Sequence, residues 1–461
     1  MTLLNVVSGQ KPREIAARVL QQRQTSSEFT ESLLERALGS ARLSGADRSL
    51  CQELVYGLVR WQATLDWLIA QKTRGRTQKA GLQNLLRLGL YQIFWLDRIP
   101  EHAAVHETVE LARRNGFGPQ AGFVNAVLRG YLREAEATKK SLDQLKTAQP
   151  ALGFSHPDWL VERWRQRWGE GRTRELLTWN NTPPRTFARV NTLKTDAGRL
   201  LERWREENVD YDFFGRDWCG ENLAFELKSH PPLAKLPSFQ QGFFYVQDPG
   251  TLLAAGELEP KPGEAILDLC AAPGGKTTYL AQLVNNEARI TAADVSSDRL
   301  RLIEENCTRL GVNCVEAALA QTLFRSLSDR HLKPETEVGL STPGNSPSPP
   351  TCRQFDRVLV DAPCSNTGVL RRRVDLRWRI RPDEIERLRA TQLELIRQAG
   401  ARLKPHGILV YSTCSLEPEE NRDVVQLFLG GQSGFKLERE RELLPFADGV
   451  DGAYVARIRR T

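Results

Sequence analysis

The strongest constraint on the fold is the regular alternation of strand-like and helix-like stretches between about residues 260 and 415. Short apolar runs, typical of buried strands, alternate with longer stretches whose apolar residues recur every three or four positions. This order predicts an α/β domain at 241–461 with a parallel, doubly wound sheet that binds ligands at the carboxyl ends of its strands. The strand-like runs are EAILDLC, RITAADV, FDRVLVDAPC and GILVYSTC, and the helical ones are TTYLAQLV, SDRLRLIEENCTRLG and PDEIERLRATQLELIRQAGARL.

Two smaller domains are predicted before this one. Residues 1–145 carry one amphipathic helical pattern after another, which indicates an all-α domain. Residues 150–240 combine the Trp-rich helical stretch HPDWLVERWRQRWG with the alternating stretch RTFARVNTLK, which indicates a small α+β domain. The polar tract at 134–153 is predicted to be a linker. The Pro-, Ser- and Gly-rich stretch at about 325–353 is predicted to be a flexible surface insertion.

Composition indicates a protein of the reducing cytosol. The 461 residues carry a net charge of +7, which permits a nucleic-acid partner without requiring one. No apolar run approaches the ~18 residues that a membrane span needs, and the N-terminus lacks a signal-peptide pattern. Eight cysteines without a C-x-x-C pair argue against disulfides and structural zinc. His102 and His106 lie one helical turn apart without an evident third ligand, so no metal site is predicted.

The stretch LDLCAAPGGKTTYLAQ, residues 267–282, ends like an ATP-binding P-loop. A P-loop requires glycine five residues before Gly275, and that residue is Cys270, so the triphosphate cradle is excluded. A strand that ends in an acid, a turn of small residues and a helix start instead suit an amino acid's ammonium and carboxylate. Asp294, which ends the next strand, suits a ribose diol. S-adenosylmethionine joins both groups, although a turn that only packs a helix on a strand is the alternative. The predicted cofactor-binding residues are Asp268, Cys270, Ala271, Ala272, Pro273, Gly274, Gly275, Lys276, Asp294 and Asp361.

Two cysteines favour the cofactor interpretation. Cys364 follows one strand in LVDAPCSNTG, and Cys414 follows the next in LVYSTCSLEPEEN. A free cysteine is usually a small core residue, but positions just past strand ends are where thiolates become accessible. Because both lie at carboxyl ends of parallel strands, they are expected in the same crevice as the glycine turn.

Three segments in combination, DLCAAPGGKT, DAPCSNTGVLRR and YSTCSLEPEEN, resemble the motifs of the RNA cytosine-5 methyltransferase superfamily. The helical first domain is similar to the N-utilisation-substance-B RNA-binding fold. With HPDWLVERW, ARVNTLK and FYVQDPG between them, these features resemble the ribosomal RNA small subunit methyltransferase B (Sun or Fmu) family over nearly the whole chain. The resemblance implies a Rossmann-like S-adenosylmethionine methyltransferase domain preceded by an all-α helical domain and a small α+β domain.

Carbon 5 of cytosine is a poor nucleophile, and a thiolate that adds to carbon 6 turns the ring into an enamine that can attack a sulfonium methyl group. The chemistry allows either cysteine to attack. The resemblance implies that Cys414 attacks and that Cys364 assists elimination. Asp361 is expected to hydrogen-bond the N3 and N4 edge of cytosine, unless it only caps the turn after its strand. Lys276 is expected to contact the cytosine or offset negative charge, unless it is merely solvated.

The target cytosine must be unstacked to reach the crevice, so single-stranded or looped RNA is expected. The arginine-rich stretch VLRRRVDLRWRIRP offers guanidinium groups for phosphates and an aromatic ring for stacking on a base, with a solvated charged loop as the alternative. ARVNTLK is assigned to the RNA face of the middle domain. The predicted RNA-binding residues are Arg189, Asn191, Arg371, Arg372, Arg377 and Trp378.

The resemblance implies a monomeric, cytoplasmic enzyme that methylates carbon 5 of a cytosine in 16S (small-subunit) ribosomal RNA. A tRNA cytosine-5 methyltransferase is one alternative, and only the helical domain favours ribosomal RNA. A non-catalytic RNA-binding assembly factor is the other, against which the two cysteines argue. The family places an acid near the adenine, but the corresponding position lies near Ala320, where Gln321 or the backbone would have to hold the ring.

Overall fold

The computed structural model describes residues 11–324 and 353–461, which form two compact units. The first unit contains the chain up to Pro183 together with Leu370–Arg379, and the second contains Pro184–Val369 and Ile380–Thr461. The insertion predicted at about 325–353 lies almost entirely outside the described residues. No helix in the described ranges combines the length and the hydropathy that crossing a lipid bilayer requires.

The first unit is all-helical in its described residues, as the apolar spacing predicts. Its core is built from leucines and valines that recur along each helix, such as Leu54, Leu86 and Leu128. A π-helical turn at Arg113–Phe117 and a 3-10 turn at Gly118–Gln120 separate the sixth and seventh helices. The helices are α1 Pro12–Arg23, α2 Thr30–Gly39, α3 Gly45–Arg60, α4 Gln62–Thr73, α5 Ala80–Trp95, α6 Glu101–Ala112, α7 Ala121–Arg133, α8 Ala135–Ala148, α9 Pro150–Gly153, α10 Asp158–Asn181 and α17 Leu376–Arg379.

The linker predicted at 134–153 is wrong, because this tract forms α8 and α9. Its Ala, Glu, Lys, Gln and Leu residues are strong helix formers. Leu142 and Leu145, one helical turn apart, are buried and give the otherwise polar helix an apolar stripe. Two buried leucines are too weak a periodic signal to distinguish a helix from a polar connection.

The division into compact units differs from the predicted domain boundaries. Helix α10 belongs to the first unit, whereas the strands predicted in the same middle domain belong to the second. Residues Leu370–Arg379, which follow the strand-end motif DAPCSNTG in sequence, also belong to the first unit. Asp375 in this segment accepts hydrogen bonds from Arg23 Nε at 2.6 Å and from the backbone N–H of Thr30 at 2.6 Å.

The second unit contains a small antiparallel sheet with strand order β2-β3-β1-β4. Strand β1 pairs antiparallel with β3 and with β4, so it lies inside the sheet, and its last four residues, 187–190, are all buried. The packed aromatic core includes Trp204, Phe225 and Phe244. The elements are β1 Thr186–Val190, α11 Ala197–Glu206, β2 Asp210–Arg216, β3 Cys219–Ser229, a 3-10 turn Leu233–Lys235, α12 Pro237–Gln240 and β4 Phe244–Val246.

The same unit contains a seven-stranded sheet with strand order β10-β11-β9-β8-β5-β6-β7. The pairs β5–β6, β5–β8, β6–β7 and β8–β9 are parallel, and β11 is antiparallel to both of its neighbours. The elements are α13 Gly250–Leu258, β5 Ala265–Leu269, α14 Gly275–Leu283, β6 Arg289–Asp294, α15 Ser297–Leu310, β7 Val315–Leu319, α16 Ala320–Phe324, β8 Phe355–Asp361, a 3-10 turn Thr367–Val369, α18 Pro382–Arg402, β9 Leu403–Thr413, a 3-10 turn Pro418–Glu420, α19 Arg422–Gly430, β10 Phe435–Leu443, α20 Pro445–Asp448 and β11 Ala453–Arg460.

This Rossmann-like, mostly parallel sheet confirms the predicted fold class and brings four strand ends to one edge. Strands β9, β8, β5 and β6 are consecutive neighbours and run in the same direction. Their carboxyl ends therefore carry the candidate residues at a single edge, where doubly wound sheets bind ligands.

Candidate active site

Asp268 lies in the centre of the site, one residue before the end of β5. Its side chain is fully buried, and Oδ2 accepts a hydrogen bond from the Thr277 hydroxyl at 2.6 Å. Oδ1 is buried and has no hydrogen-bond partner among the described residues. Burial raises the pKa of Asp268 to about 7. A buried acceptor without a partner indicates a place where a ligand's donor group, such as an ammonium, completes the site.

The turn between β5 and α14 brings backbone close to that acid. Cys270 has a φ of 60° and Gly274 a φ of 98°, so the chain is left-handed at two points before the helix begins at Gly275. A left-handed non-glycine residue is uncommon, and such conformations concentrate at functional sites. Burial raises the pKa of the Cys270 thiol to about 12, so Cys270 remains a neutral thiol in this turn.

Asp294, the last residue of β6, hydrogen-bonds the backbone of the same turn. Its carboxylate accepts from the backbone N–H of Ala272 at 3.1 Å and of Val295 at 2.8 Å, and Arg299 pairs with it at 3.1 Å. A carboxylate has about four acceptor positions, so a further donor such as a ribose hydroxyl still fits. The next residue, Val295, is 74% exposed, although it is a large apolar residue.

These residues fit S-adenosylmethionine. The unpartnered oxygen of Asp268 suits the ammonium, the N-terminus of α14 suits the carboxylate, and Asp294 suits the ribose. The side of Val295 offers an apolar surface for a flat ring. Gln321 is exposed at the start of α16, next to the end of β7.

Asp361 and Lys276 form an ion pair beside Asp268. Lys276 Nζ lies 2.6 Å from Asp361 Oδ2, and the Ser412 hydroxyl donates to Asp361 Oδ1 at 2.9 Å. Burial alone lowers the pKa of Lys276, but the adjacent Asp361 carboxylate outweighs it and raises the pKa above the ordinary value. Lys276 is therefore charged and paired rather than simply solvated.

The two cysteines predicted to share one crevice are in contact. Cys364 Sγ and Cys414 Sγ lie 3.3 Å apart, after β8 and β9 respectively. Cys364 is buried, whereas Cys414 is half-buried. The hydrogen bond with Cys414, together with burial, raises the pKa of Cys364 well above its ordinary value. Cys364 is therefore a neutral thiol in this structure.

Sequence reasoning did not single out the polar residues that support these cysteines. Asn366 Oδ1 accepts from Cys414 Sγ at 3.0 Å, and its Nδ2 donates to the carbonyl of Cys364 at 2.5 Å. Asn421 accepts from the Thr413 hydroxyl at 2.5 Å and donates to the Ser415 carbonyl at 2.9 Å. The available signal was the run of Ser, Asn, Thr and Glu residues directly after each cysteine.

The assignment of Arg189 and Asn191 to an RNA face is wrong, because both side chains are buried. The Arg189 guanidinium donates to the Gly275 carbonyl at 2.8 Å and to the Thr278 hydroxyl at 3.1 Å. Asn191 donates to the Gly242 and Leu310 carbonyls, each at 2.8 Å. These residues connect β1 to the region of α14 and α15, so their polar groups serve internal hydrogen bonds.

The RNA-contact prediction is also wrong for Arg371 and Arg377, which are buried, whereas the half-buried Trp378 remains a predicted contact. Arg377 is 0% exposed, and its guanidinium donates to Asn181 Oδ1 at 2.8 Å and to the Asn180 carbonyl at 2.9 Å. Arg371 is 1% exposed and lies over the Trp179 ring. Trp378 donates to the Val59 carbonyl at 2.7 Å and packs against the helical core. Arg372 is half-buried, so its proposed RNA contact remains a prediction.

Family models match three successive parts of the chain. A NusB family model matches residues 10–133, and an RsmF/B-like ferredoxin-like domain model matches residues 156–214. A model described as 16S rRNA methyltransferase RsmB/F matches residues 255–459. The fold, the site and these matches define an S-adenosylmethionine-dependent methyltransferase.

Similar proteins extend this agreement to nearly the full length. "Probable ribosomal RNA small subunit methyltransferase B" of Synechocystis sp. is 36% identical, with 97% of this chain and 99% of that protein covered. "Ribosomal RNA small subunit methyltransferase B" of Vibrio vulnificus is 34% identical, with 96% and 98% covered. The chain belongs to the ribosomal RNA small subunit methyltransferase B family. A methyltransferase homologue from Pyrococcus horikoshii of solved structure is 30% identical, with a TM-score of 0.55 over 69% of this chain and 98% of that one.

Proposed function

We propose that this protein methylates carbon 5 of a cytosine in 16S (small-subunit) ribosomal RNA through a covalent bond between Cys414 and carbon 6. The observation that carries the proposal is the 3.3 Å separation of the Cys414 and Cys364 sulfurs at the edge of the sheet that holds the cofactor turn. Amino-group methylation of a base requires no pair of thiols, whereas methylation at carbon 5 requires one thiol to add and a base to complete elimination.

Cys414 is the nucleophile in this proposal. It is the more exposed of the two cysteines, and its thiol proton already has an acceptor in Asn366 Oδ1. Addition of the thiolate to carbon 6 of cytosine places electron density on carbon 5 and the N3 edge. Asp361 is expected to hydrogen-bond that edge, and its ion-pair partner Lys276 to limit the negative charge that accumulates there.

Cys364 completes the reaction. After carbon 5 has gained the methyl group, its proton must leave, and the electrons of the carbon–hydrogen bond then re-form the ring double bond as the Cys414 sulfur departs. In the proposal, Cys364 first releases its own thiol proton to solvent. Its thiolate, which the raised pKa makes a strong base, then takes the carbon 5 proton and becomes a thiol again. The elimination leaves a methylated cytosine and a free Cys414 thiolate.

Residues around Asp268 and Asp294 would hold the cofactor. S-adenosylmethionine supplies, when bound, an electrophilic methyl group on a sulfonium. Asp268, the turn at Cys270–Gly275, Asp294 and Val295 are the residues proposed to bind and orient it, because they combine a buried free acceptor, a helix N-terminus and an exposed apolar side chain.

The family models favour ribosomal RNA as the substrate over tRNA, because the NusB-family match covers residues 10–133, which contain α1 to α7 of the helical unit. A single-stranded or unstacked cytosine is proposed, since a stacked base does not reach two thiols at a sheet edge. A cytoplasmic, monomeric protein is proposed with it.

The proposal is tested by incubating the protein with tritiated S-adenosylmethionine and either undermodified small-subunit RNA or bulk tRNA. Label is expected in the ribosomal RNA, recovered as 5-methylcytidine after digestion, and Cys414→Ala is expected to abolish it. Cys314→Ala, which removes a half-buried thiol outside the site, serves as the matched control. Label only in tRNA would change the substrate class. RNA binding without any label would support the assembly-factor alternative.

A further inference from the structure

Glu420, in the 3-10 turn Pro418–Glu420, is a carboxylate with 0% exposure. Its Oε1 accepts from the backbone N–H of Ser365 at 2.8 Å and from Gln392 Nε2 at 3.0 Å. Its Oε2 accepts from the hydroxyl groups of both Ser365 and Ser415. Burial raises the pKa of Glu420. A buried acid of this kind is destabilising unless its oxygens are fully hydrogen-bonded, as they are here.

The partners of Glu420 have a specific relation to the reactive thiols. Ser365 directly follows Cys364, and Ser415 directly follows Cys414. The two serine hydroxyls also lie 3.0 Å apart. One side chain thus connects the residue after the first cysteine to the residue after the second. Both serines lie beyond the ends of β8 and β9, where strand pairing has ended and the backbone N–H of Gly368 donates to the Cys414 carbonyl at 2.9 Å.

A third contact joins Glu420 to helix α18, which packs beside the sheet. Gln392 on α18 donates the same Nε2 group to Glu420 and to the Pro363 carbonyl at 2.9 Å. Pro363 precedes Cys364, so the loop after β8 is held on both sides of its cysteine. The Tyr411 hydroxyl, in contrast, donates to the backbone carbonyl of Glu420 at 2.6 Å rather than to its carboxylate.

We propose that Glu420 is a positioning residue that holds Cys364 and Cys414 at the separation needed for release of the methylated RNA. The inference rests on the proposed covalent mechanism. Glu420 contacts neither reacting sulfur and acts through Ser365 and Ser415. If it is removed, Cys414 keeps its own partner, Asn366, and can still attack. Cys364 then no longer reaches the carbon 5 proton reliably, so the adduct is formed faster than it is resolved.

The first test measures the denaturation-resistant protein–RNA adduct in the full-length protein. Displacement of a catalytic group by about 1 Å costs about 100-fold in rate, so Glu420→Ala is expected to slow adduct resolution by about 10- to 100-fold and to accumulate adduct. Glu420→Gln keeps the length, one acceptor oxygen and a donor for the serine hydroxyls, and is expected to restore most of the release. Tyr411→Phe is the matched control, since it removes a neighbouring buried hydrogen bond and is expected to leave release unchanged.

The second test requires neither RNA nor cofactor. Hydrogen peroxide can oxidise Cys364 and Cys414 to a disulfide, with two thiols losing two electrons and two protons while the peroxide is reduced to two waters. The cross-linked peptide is quantified by mass spectrometry. Wild type, Tyr411→Phe and Glu420→Gln are expected to form it at similar rates, and Glu420→Ala about 10-fold more slowly.

If Glu420→Ala does not fold, Ser415→Ala replaces it in both tests, because it removes one of the two serine hydroxyl groups that donate to Glu420. Ser415→Ala is expected to slow adduct resolution and disulfide formation, each less than Glu420→Ala does. Wild-type rates of cross-linking and release in folded Glu420→Ala, or in Ser415→Ala if that variant replaces it, would overturn the inference. Failure of Cys364→Ala to form any adduct would instead count against the proposed function, and the disulfide rates would still report on Glu420.

Discussion

At the scale of single residues, burial and neighbouring charge shift the ionisable groups of this site in distinct ways. Asp268 is removed from solvent, and the Thr277 hydrogen bond and the Lys276 charge offset this only in part, so its pKa rises to about 7. Lys276 is also removed from solvent, but its pKa is raised because Asp361 lies 2.6 Å away. The site thus presents a charged pair beside an acid whose charge changes near neutral pH.

Asp268 is expected to make cofactor binding depend on pH. The protonated acid cannot pair with an ammonium, so affinity for S-adenosylhomocysteine is expected to fall about tenfold as the pH falls from 8 to 6. Titration calorimetry at each pH measures this change. Asp268→Asn is expected to bind more weakly at pH 8 and to lose the dependence. An unchanged pH profile in Asp268→Asn would contradict the assigned role.

In the ligand-free protein, the raised pKa of Asp268 also predicts how the free energy of unfolding changes with pH. The folded pKa of Asp268 lies above its unfolded value of about 4, so the folded state binds more protons between these two values. Its contribution to the free energy of unfolding is therefore full below pH 4 and is lost as the pH rises towards 7. Denaturant titrations measure the free energy of unfolding at each pH. Between about pH 4 and 7 this free energy is expected to change differently with pH in wild type and in Asp268→Asn, and above about pH 7 the two are expected to change in the same way.

At the scale of elements, the loops after β8 and β9 approach each other at a glycine. The backbone N–H of Gly368 donates to the Cys414 carbonyl at 2.9 Å. A Cβ added there would lie 2.7 Å from that carbonyl oxygen and 2.6 Å from the Gly452 carbonyl oxygen, and neither backbone atom can move independently. The position of Cys414 therefore depends on the absence of a side chain at residue 368.

Gly368→Ala is expected to lower the free energy of unfolding by about 1–3 kcal/mol and methyl transfer by at least about tenfold. Thermal unfolding and labelled-methyl incorporation measure the two effects. Gly256→Ala on α13 is the control, because nothing lies within 4 Å of its added Cβ, and it is expected to be neutral or slightly stabilising. Wild-type activity in Gly368→Ala would show that Cys414 tolerates displacement.

Periodicity and strand-end chemistry predicted the elements that matter most for the site. The order of β5, β6, β8 and β9 followed from apolar runs, and parallel strands necessarily place Asp268, Asp361 and the two cysteines at one edge. Glu420 was not predicted, because one acid among three in LEPEEN gives no sign of which points inward. Arg189 and Arg377 were misassigned for a similar reason. An arginine's charge suggests a surface, yet its five donors allow burial wherever carbonyl groups converge.

At the scale of the whole molecule, a short segment of the C-terminal half belongs to the helical unit. Leu370–Arg379 contributes Val374 and Trp378 to that unit's apolar packing, and Arg377 donates to several backbone carbonyls there. No local sequence pattern reveals such membership, since it depends on contacts between residues about 200–350 positions apart.

Arg377→Ala is expected to lower the free energy of unfolding by about 3 kcal/mol, because it leaves several buried carbonyls without donors. Arg373→Ala removes only an exposed pair with Glu31 and is expected to cost less than about 1 kcal/mol. Denaturant unfolding of the full chain measures both. Equal stability of the two variants would show that the buried arginine contributes no more than a surface one.

The most direct measurement of the central claim is the fate of RNA on the Cys364→Ala protein. With S-adenosylmethionine and small-subunit RNA, we expect a methylated RNA that stays attached to the protein through denaturation. Peptide mapping is expected to place the bond on Cys414, and Cys364→Ala/Cys414→Ala is expected to form none. Released 5-methylcytosine at the wild-type rate, or attachment through another residue, would contradict the account.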